Sequence, residues 1–378
     1  MNINISKIKK LTGFNCCKLF IWTSIYFLFF NSISCNTTEP TNNSDGIDTT
    51  SHNFTFQTCS FGEHSSSILY DVAIINENNI WAVGEIYMND SLGQPDPHPY
   101  GIMHWNGSDW NVQKITAQNP SGGYSYITPT GIFNINPSEI WLASGGVFRF
   151  DVQNIIQSFW LINYSGYTGG IFNNGETAQK ISGISITDIY AVGNKGAIAR
   201  YNGVSWQKIE SGTELDIYDI VGKQNINNVY EVICVAAKQS VNSNKKIYRI
   251  ENSILTELNV NGIASSIRGI WFKSGEKYYV VGSGMYYKNN INSIDSWISF
   301  GETVTPFYTN AIDGNDLNDI VVCGAYGELL HYNGSSWKSY QNQLEMQAGS
   351  YRSIKIKNNL LVAVGYDSPK AVITIGRR

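Results

Sequence analysis

Charged residues are scarce in this chain. They make up 15% of its 378 residues, against roughly 25% in a typical globular protein, and this argues against a disordered chain or a coiled coil. The apolar stretch at residues 19–30 is only 12 residues long, which is short for a transmembrane helix, so a polytopic membrane protein is also excluded. Hydrophobic residues nevertheless reach 42%, enough for a sizeable core.

Motifs for metal, cofactor and acyl-transfer chemistry are also missing. The sequence has no CxxC pair or Cys/His cluster with metal-ligand spacing, no Ser/His/Asp signature and no Gly-rich phosphate loop. We therefore expect no metal and no cofactor. Two of the six cysteines lie in the first 34 residues and Cys35 follows them, which leaves Cys59, Cys234 and Cys323. An odd number argues against a disulfide framework and favours buried thiols.

The N-terminus has the pattern of an export signal over residues 1–34. Four lysines and no acidic residue precede the apolar stretch, and a small residue, Ser34, stands before Cys35. This resembles the cleavage site of bacterial lipoproteins, in which Cys35 would carry the lipid. Ordinary signal cleavage nearby and an uncleaved N-terminal anchor are the alternatives. All three place the protein outside the cytoplasm, in the cell envelope or secreted.

Residues 35–53 are rich in Thr, Asn and Ser and are typical of a flexible tether. Removal of the signal takes away four lysines and no acidic residue. The rest of the chain then has 22 basic and 30 acidic residues, a net charge of −8. Such a domain repels phosphate backbones, so we expect no nucleic-acid partner. Contact with a membrane is expected only through the N-terminal lipid.

The body of the chain is a repeated β-pattern. Residues 189–206 read IYAVGNKGAIARYNGVSW, and residues 320–337 read IVVCGAYGELLHYNGSSW. Two β-runs flank a Gly turn, and the second run ends at Asn-Gly followed by Trp. With a shorter run before it, each unit predicts a four-stranded antiparallel sheet, and Asn-Gly predicts a tight hairpin because both residues tolerate positive φ.

The repeat spacing predicts an all-β fold, a seven-bladed β-propeller over residues 54–378. Unit starts run from residue 70 to residue 352 in six intervals that average 47 residues, the size of a propeller blade. The seventh unit offers only three strands. We expect the run Phe54–Cys59 to supply its fourth strand and close the ring, because closure removes exposed sheet edges.

These units resemble the β-propeller repeats of secreted bacterial surface proteins, and the Tyr-Asn-Gly-Ser-Ser-Trp turn is similar to a degenerate Asp-box of sialidase-like propellers. In this chain Asn106, Asn202 and Asn333 stand where Asp is common. The resemblance implies a propeller fold, but propellers serve many functions. Sialidase-like enzymes would require three arginines around the substrate and a Tyr/Glu nucleophile pair, and only Arg268 and Arg352 start first strands here.

Long loops are expected on the face where the first strands begin, and three of them cluster over blades 1–3. Their aromatic residues suit a sugar ring or an extended peptide, because flat apolar faces exclude water while polar groups orient the ligand. The alternative is that these rings pack the loops onto the blades. The candidate ligand-binding residues in these loops are Tyr87, Tyr100, Tyr124, Tyr126 and Tyr167.

The mouth of the central channel is a second candidate site. Arg268 and Arg352 start first strands and would converge on a concave centre, where they could hold a carboxylate by paired hydrogen bonds. The alternative is that they pair with acidic residues of the channel lining. The other candidates at equivalent positions are Tyr70, Asp71, Tyr218 and Asp219.

The sequence therefore predicts an exported, lipid-anchored, monomeric propeller that binds a glycan or an envelope protein. The alternative is a secreted carbohydrate-active enzyme that uses Asp71, Asp219 and the two arginines, although the two carboxylates are expected on opposite sides of the channel. A structural subunit of an envelope complex is a third reading. We assign no catalytic residue.

Overall fold

The structure is a computed structural model that describes residues 48–151, 154–161, 170–224, 229–238, 244–344, 346 and 348–378. Within these residues no helix combines the length and apolar character needed to span a membrane. The signal segment, Cys35, most of the tether and Tyr167 lie outside the described residues, so the expectations for them remain predictions.

Seven four-stranded antiparallel sheets make up the protein from residue 49 onward. The first strand of the chain is β1 (Thr55–Phe61). The strands of blade 1 are β2 (Ile68–Asn76), β3 (Asn79–Ile86), β4 (Tyr100–Trp105) and β5 (Trp110–Gln113). A separate hairpin follows, formed by β6 (Ile115–Gln118) and β7 (Tyr124–Ile127). The strands of blade 2 are β8 (Gly131–Asn136), β9 (Glu139–Ser144), β10 (Gly146–Phe150) and β11 (Ile155–Phe159).

The remaining blades repeat this order. The strands of blade 3 are β12 (Thr177–Ser185), β13 (Asp188–Asn194), β14 (Ile198–Tyr201) and β15 (Trp206–Lys208). The strands of blade 4 are β16 (Asp216–Gln224), β17 (Tyr230–Ala237), β18 (Lys245–Glu251) and β19 (Ile254–Leu258). The strands of blade 5 are β20 (Ile267–Lys273), β21 (Lys277–Gly282), β22 (Gly284–Lys288) and β23 (Ile298–Ser299).

The last two blades hold both ends of the described chain. The strands of blade 6 are β24 (Thr309–Asp316), β25 (Asp319–Gly324), β26 (Leu329–Tyr332) and β27 (Trp337–Ser339). A short 3₁₀-helix, Gln341–Gln343, precedes blade 7. The strands of blade 7 are β28 (Ser350–Lys357), β29 (Leu360–Asp367) and β30 (Lys370–Arg377), with β1 as its outer strand.

The expected closure of the ring is confirmed. Strand β1 pairs antiparallel with β30 over seven residues, from Thr55 opposite Arg377 to Phe61 opposite Ala371. The first strand of each blade contacts that of the next blade, and β28 contacts β2. The protein is thus a seven-bladed β-propeller, and β1 covers the edge that the C-terminal strand would otherwise expose.

The hydrophobic core lies between the blades. The second strand of each blade is its most apolar strand because neighbouring blades cover both of its faces. Trp81 on β3 is 1% exposed and packs among apolar residues of blade 2. Trp271 on β20 of blade 5 is buried between blades in the same way. Its indole N–H donates to the Gly314 carbonyl of blade 6 over 3.0 Å. Cys59, Cys234 and Cys323 are buried thiols, as expected.

The Asn-Gly hairpins differ from the tight turns that the sequence predicts. Each connection is a four-residue loop, as between Trp105 and its partner Trp110. Only the glycine has a positive φ, +97° at Gly107. The Asn106 side chain instead accepts backbone N–H bonds of 2.9 Å from Ser108 and Asp109. The Asn therefore acts through its side-chain oxygen and not through its backbone conformation.

The propeller has two unlike faces. We call the side where first strands begin the cavity face; it also carries the loops that join second to third strands. The opposite side carries the four-residue hairpins, such as residues 106–109, 202–205 and 333–336, and we call it the hairpin face.

Candidate functional site

Buried carboxylates hold the inner strands together around the channel. Asp71 on β2 is 1% exposed. It accepts the backbone N–H of Ile132 (3.0 Å), the hydroxyl of Ser353 (2.6 Å) and the ammonium of Lys180 (2.8 Å). Burial alone would raise the pKa of Asp71, but the positive charges of Lys180 and Lys355 and these hydrogen bonds lower it. This candidate residue therefore ties together four blades.

A carboxylate accepts a backbone N–H of a neighbouring blade at two other places in the ring. Asp219 on β16 accepts the N–H of Ile270 in blade 5 over 3.1 Å, and Asp313 on β24 accepts the N–H of Ile356 in blade 7 over 2.9 Å. Burial raises the pKa of Asp219. In each case a carboxylate of one blade replaces water for a backbone donor of the next, which fixes the angle between the blades.

Lysines balance these carboxylates inside the channel. Burial lowers the pKa of Lys355, but the nearby negative charges of Asp313, Asp71 and Asp219 raise it above its ordinary value. Burial lowers the pKa of Lys223, which faces Asp313. With Lys180 paired to Asp71, three amino groups stand against three carboxylates, so the channel interior is close to neutral.

The two arginines at the channel mouth are outside this balance. Within the described residues, neither Arg268 nor Arg352 has a carboxylate at ion-pair distance. The Arg268 guanidinium lies 4.9 Å from the centre of the Tyr218 ring, and that of Arg352 lies 5.3 Å from the centre of the Tyr366 ring. Burial lowers the pKa of Arg268, and the positive charge of Arg352 adds to this effect. Both cations line one cavity.

Two cavities meet at Arg352. The first, the channel cavity, has a volume of about 350 Å³ and is lined by residues of all seven blades, including Tyr70, Tyr218, Asp219 and both arginines. The second, which we call the side groove, has a volume of about 500 Å³ and lies on the cavity face over blades 5–7. Its lining is Ser266, Ser283, Tyr308, Asn310, Ala325, Tyr326, Ala348, Gly349, Ser350, Arg352 and Tyr366.

Unsatisfied polar atoms point to the same place. The Arg352 Nε is buried and has no hydrogen-bond partner in the described part of the protein. The Tyr308 hydroxyl is also buried and finds no acceptor there, although it lies close to the Arg268 guanidinium. A buried polar atom without a hydrogen bond costs free energy, so such atoms usually form hydrogen bonds with water or a ligand. Both residues line the side groove, so the groove offers a donor pair to an incoming acceptor.

The loops over blades 1 and 2 make their polar contacts among themselves. Lys114 pairs with Asp96 and lies 5.1 Å from the ring centre of Tyr100. His98 stacks on Tyr126 with the ring centres 4.3 Å apart. Burial would raise the pKa of Asp96, but hydrogen bonds from Lys114 and the His98 backbone lower it. One of the three long loops expected over blades 1–3 is largely the hairpin of β6 and β7.

The structure thus divides the candidate residues into groups. Channel residues Tyr70, Tyr218, Asp219, Arg268 and Arg352 line one cavity, and Asp71 lies beneath it in the framework. Tyr87 lies beside His64, with ring centres 5.8 Å apart. Tyr124 and Tyr126 are 73% and 43% exposed on β7. None of these loop tyrosines lines either cavity.

The side groove was not predicted from the sequence. Small residues at strand starts and at the turns after second strands leave its space open: Ser266, Ser283, Ala325, Ala348 and Gly349. The occurrence of small residues at these positions in blades 5–7 is the signal that could have found it.

The carboxylates do not form a catalytic pair on one substrate space. Asp219 lines the channel cavity, whereas Asp71 does not and has its oxygens engaged. A Tyr/Glu pair does exist: the Tyr278 hydroxyl donates to Glu231 over 2.9 Å. It is buried at the hairpin-face end of the β20–β21 ladder, whereas Arg268 lies at the other end.

Solved structures similar to this chain are propellers. YCF48 bound to D1 peptide has a TM-score of 0.60 at 11% identity, with 88% of this chain and 100% of that chain covered. Virginiamycin B lyase from Staphylococcus aureus has a TM-score of 0.58 at 13% identity, with 85% and 99% covered. The WD40 domain of Doa1 has a TM-score of 0.55 at 9% identity, with 86% and 98% covered.

At these identities the likeness establishes the fold alone. No family model matches the chain, and no curated protein matches it. Any function must therefore be argued from the site.

Proposed function

We propose that this protein is an exported, lipid-anchored propeller that binds a carboxylate-bearing segment of a partner protein at the channel mouth. The observation that carries the proposal is the arginine pair, Arg268 and Arg352, which has no carboxylate partner within the described residues and borders two joined cavities. A guanidinium is the side chain best suited to grip a carboxylate through two parallel hydrogen bonds.

The local positive charge at the channel mouth favours an anionic ligand. The chain without its signal has a net charge of −8, so its surface repels most anionic molecules. The channel mouth is a local exception, because the amino groups and carboxylates beneath the arginines balance each other. A positive site surrounded by an acidic surface favours a ligand with one or two well-placed carboxylates over a polyanion.

The shape of the site supports a chain rather than a compact molecule. The channel cavity and the side groove share Asn310 and Arg352, so together they form one path from the channel axis across blades 6 and 7. Tyr326, 56% exposed, borders the groove and offers an apolar ring to a side chain of the ligand. The similar propeller YCF48 has been seen bound to a peptide, which agrees with this proposal.

The lipid anchor is the second part of the proposal. Cys35 follows an export signal and precedes a polar tether. Metabolic labelling with a fatty-acid analogue should label the wild-type protein but not the Cys35→Ser variant. Equal labelling of the two proteins would contradict lipidation at this position.

A capture experiment tests ligand binding. Solubilised envelope extract is passed over the immobilised wild-type protein and over Arg352→Gln, Arg268→Gln and the control Arg249→Gln, which lies in blade 4 and pairs with Glu251. Loss of one charge-assisted contact costs about 1.5–3 kcal/mol, roughly a 10- to 150-fold loss of affinity. Retention by wild type and the control alone supports the proposal, and equal retention by all four contradicts it.

A glycan remains a second candidate because of one observation. Tyr124 is 73% exposed on the β6–β7 hairpin and presents a flat ring suited to stacking on a sugar. In this case Tyr124→Ala, and not Arg352→Gln, should abolish retention on a glycan matrix.

A further inference from the structure

The described chain begins on the hairpin face. The Thr50 hydroxyl donates to the carbonyl of Asn318 over 2.5 Å, and its N–H donates to that of Asn333 over 3.2 Å. Both carbonyls belong to turns of blade 6 on this face. The described chain therefore reaches the propeller at the hairpin face and not at the cavity face.

The tether is short compared with the propeller. Fourteen residues separate Cys35 from Thr50. A stretch of this length spans at most about 50 Å when it is fully extended. A lipid on Cys35 would thus keep the hairpin face within a few tens of ångströms of the membrane and raise its effective concentration there.

The hairpin face exposes apolar side chains in blades 3 and 4. The exposed fractions are 52% for Ile186, 85% for Val204, 44% for Tyr230 and 67% for Ile254. Each residue lies in or directly beside a turn: 185–188 and 202–205 in blade 3, and the β16–β17 and β18–β19 connections in blade 4. We call these four residues the apolar tips.

Three of the apolar tips, Ile186, Val204 and Ile254, lie on neighbouring turns. The turns that carry Ile186 and Val204 are in contact, because a Cβ added to Gly203 would lie 2.7 Å from the Thr187 side chain. The patch continues into blade 4, where Arg200 donates to the Ser253 hydroxyl next to Ile254 over 3.0 Å. The charge of Arg200 is paired with Asp188 at 2.6 Å, so the patch carries little net charge.

The position of the patch is as informative as its composition. Blade 3 lies across the ring from blade 6, where the chain enters, and blade 4 follows it. The corresponding turns of blade 1 carry acidic residues instead, such as Glu77 and Asp109, whereas the β22–β23 connection of blade 5 exposes a further isoleucine, Ile294, at 90%. A tether at one edge of a face and an apolar patch at the opposite edge are two attachment points that would lay this face flat against a membrane.

We propose that the apolar tips insert into the lipid–water interface of the membrane to which Cys35 tethers the protein, so that the cavity face points away from the lipid. The inference rests on the lipid anchor of the proposed function. Aliphatic side chains with a tyrosine beside them suit this interface, where the ring sits at headgroup level. The tether selects the occupant, because it delivers this face to lipid before any soluble partner.

A depth measurement tests the inference. Full-length lipidated protein is reconstituted into vesicles of phosphatidylethanolamine and phosphatidylglycerol, with an environment-sensitive dye on Val204→Cys. The matched control is Leu92→Cys, since Leu92 is 82% exposed but lies in a loop of the cavity face. The native thiols are buried, which leaves the introduced one to react.

The expected result is quenching of the dye at position 204 by nitroxide-labelled lipids at least about threefold stronger than at position 92, as interfacial insertion requires. Ile186→Ser with Ile254→Ser should then reduce quenching at position 204 towards the control, while the protein still floats with the vesicles.

The outcomes that overturn the inference are distinct. If the protein floats with the vesicles but both dyes remain in water, the anchor stands and the docking of the apolar tips is wrong. If the protein does not float, the anchor fails and the inference fails with it, while the arginine site is judged by its own capture experiment. If the dye at position 204 is shielded without vesicles as protein concentration rises, a second copy and not lipid covers the patch.

Discussion

The loops over blades 1–3 and the groove over blades 5–7 lie on the same face but differ in construction. Blade 1 has a long insertion between β3 and β4, and much of it is tied down by the Asp96–Lys114 pair and the His98–Tyr126 stack. Blades 5–7 have short connections with small residues, and the space between them stays open. The inserted residues of blade 1 pack against one another, whereas the small side chains of blades 5–7 leave the side groove open.

The largest effect is expected where the channel framework is broken. Asp71→Ala leaves the Lys180 ammonium buried without its partner and removes the acceptor for Ile132 and Ser353. Removal of one partner of a buried pair costs about 3–5 kcal/mol. Urea unfolding should show this loss, which would place Asp71 in the framework shared by both regions. A fully stable Asp71→Ala protein with lost ligand retention would instead make Asp71 a ligand residue.

The next effect separates the two regions directly. Arg352→Gln should lower ligand affinity by a factor of roughly 10 to 150, with little change in the free energy of unfolding because this guanidinium has no carboxylate partner among the described residues. Tyr124→Ala should change affinity less than about threefold, as expected for a residue outside the contact. Titration calorimetry on the captured partner measures both. The reverse ranking would move the site to the loops.

A smaller effect is expected from releasing the loops. Lys114→Gln removes the charge that pairs with Asp96 and faces Tyr100. The pair is partly exposed, so we expect a loss of only about 1 kcal/mol or less. Hydrogen exchange should become faster in residues 89–100 and stay unchanged around Tyr326. Faster exchange at the side groove would show that the two regions are coupled.

The smallest effect is the loss of stability expected when the pH is lowered. At the seam where the N-terminal segment meets blade 6, on the hairpin face, His52 Nδ1 lies 2.8 Å from His331 Nδ1. Burial and then the charge of His331 lower the pKa of His52 below its ordinary value of 6.5. The unfolded chain then binds the proton more readily, so stability is full above pH 6.5 and falls as the pH drops from there to the lowered pKa.

Urea midpoints at about pH 7.5 and about pH 5.5 measure this loss. His52→Asn should reduce the difference between them. It should not abolish it, because burial also lowers the pKa of His104. The loops should respond in another range, since the pKa of Asp96 is lowered and its contribution is lost only below pH 3.8. An unchanged pH dependence in His52→Asn would remove the seam from this account.

The fold was readable from the sequence because each blade repeats the same physical problem. A first strand followed by a doubly covered second strand recurs with a mean spacing of 47 residues, and blades 1, 3 and 6 add a Trp after an Asn-Gly hairpin. Closure by β1 followed from the missing fourth strand of blade 7. The β6–β7 hairpin was not predicted, although Ile115–Gln118 and Tyr124–Ile127 flank a glycine-containing turn.

The site was only partly readable. Arg268 and Arg352 were identified because equivalent positions in the repeat must meet at the channel. The role of Asp71 was not, because a sequence does not reveal that its carboxylate accepts the N–H of Ile132 from the next blade. The groove was missed for a similar reason, since an open space is defined by what its neighbours lack, and the search for a site followed the long loops and not the small residues.

A photo-crosslinking amino acid placed at two exposed tyrosines tests whether a partner protein binds in the side groove. Position 326 borders the side groove, and position 124 lies on the loops over blades 1 and 2. After irradiation of cells that carry the full-length protein, the account predicts a partner adduct at position 326 that disappears with Arg352→Gln, and none at position 124. An adduct at position 124 alone, or one at position 326 that persists in Arg352→Gln, would contradict it.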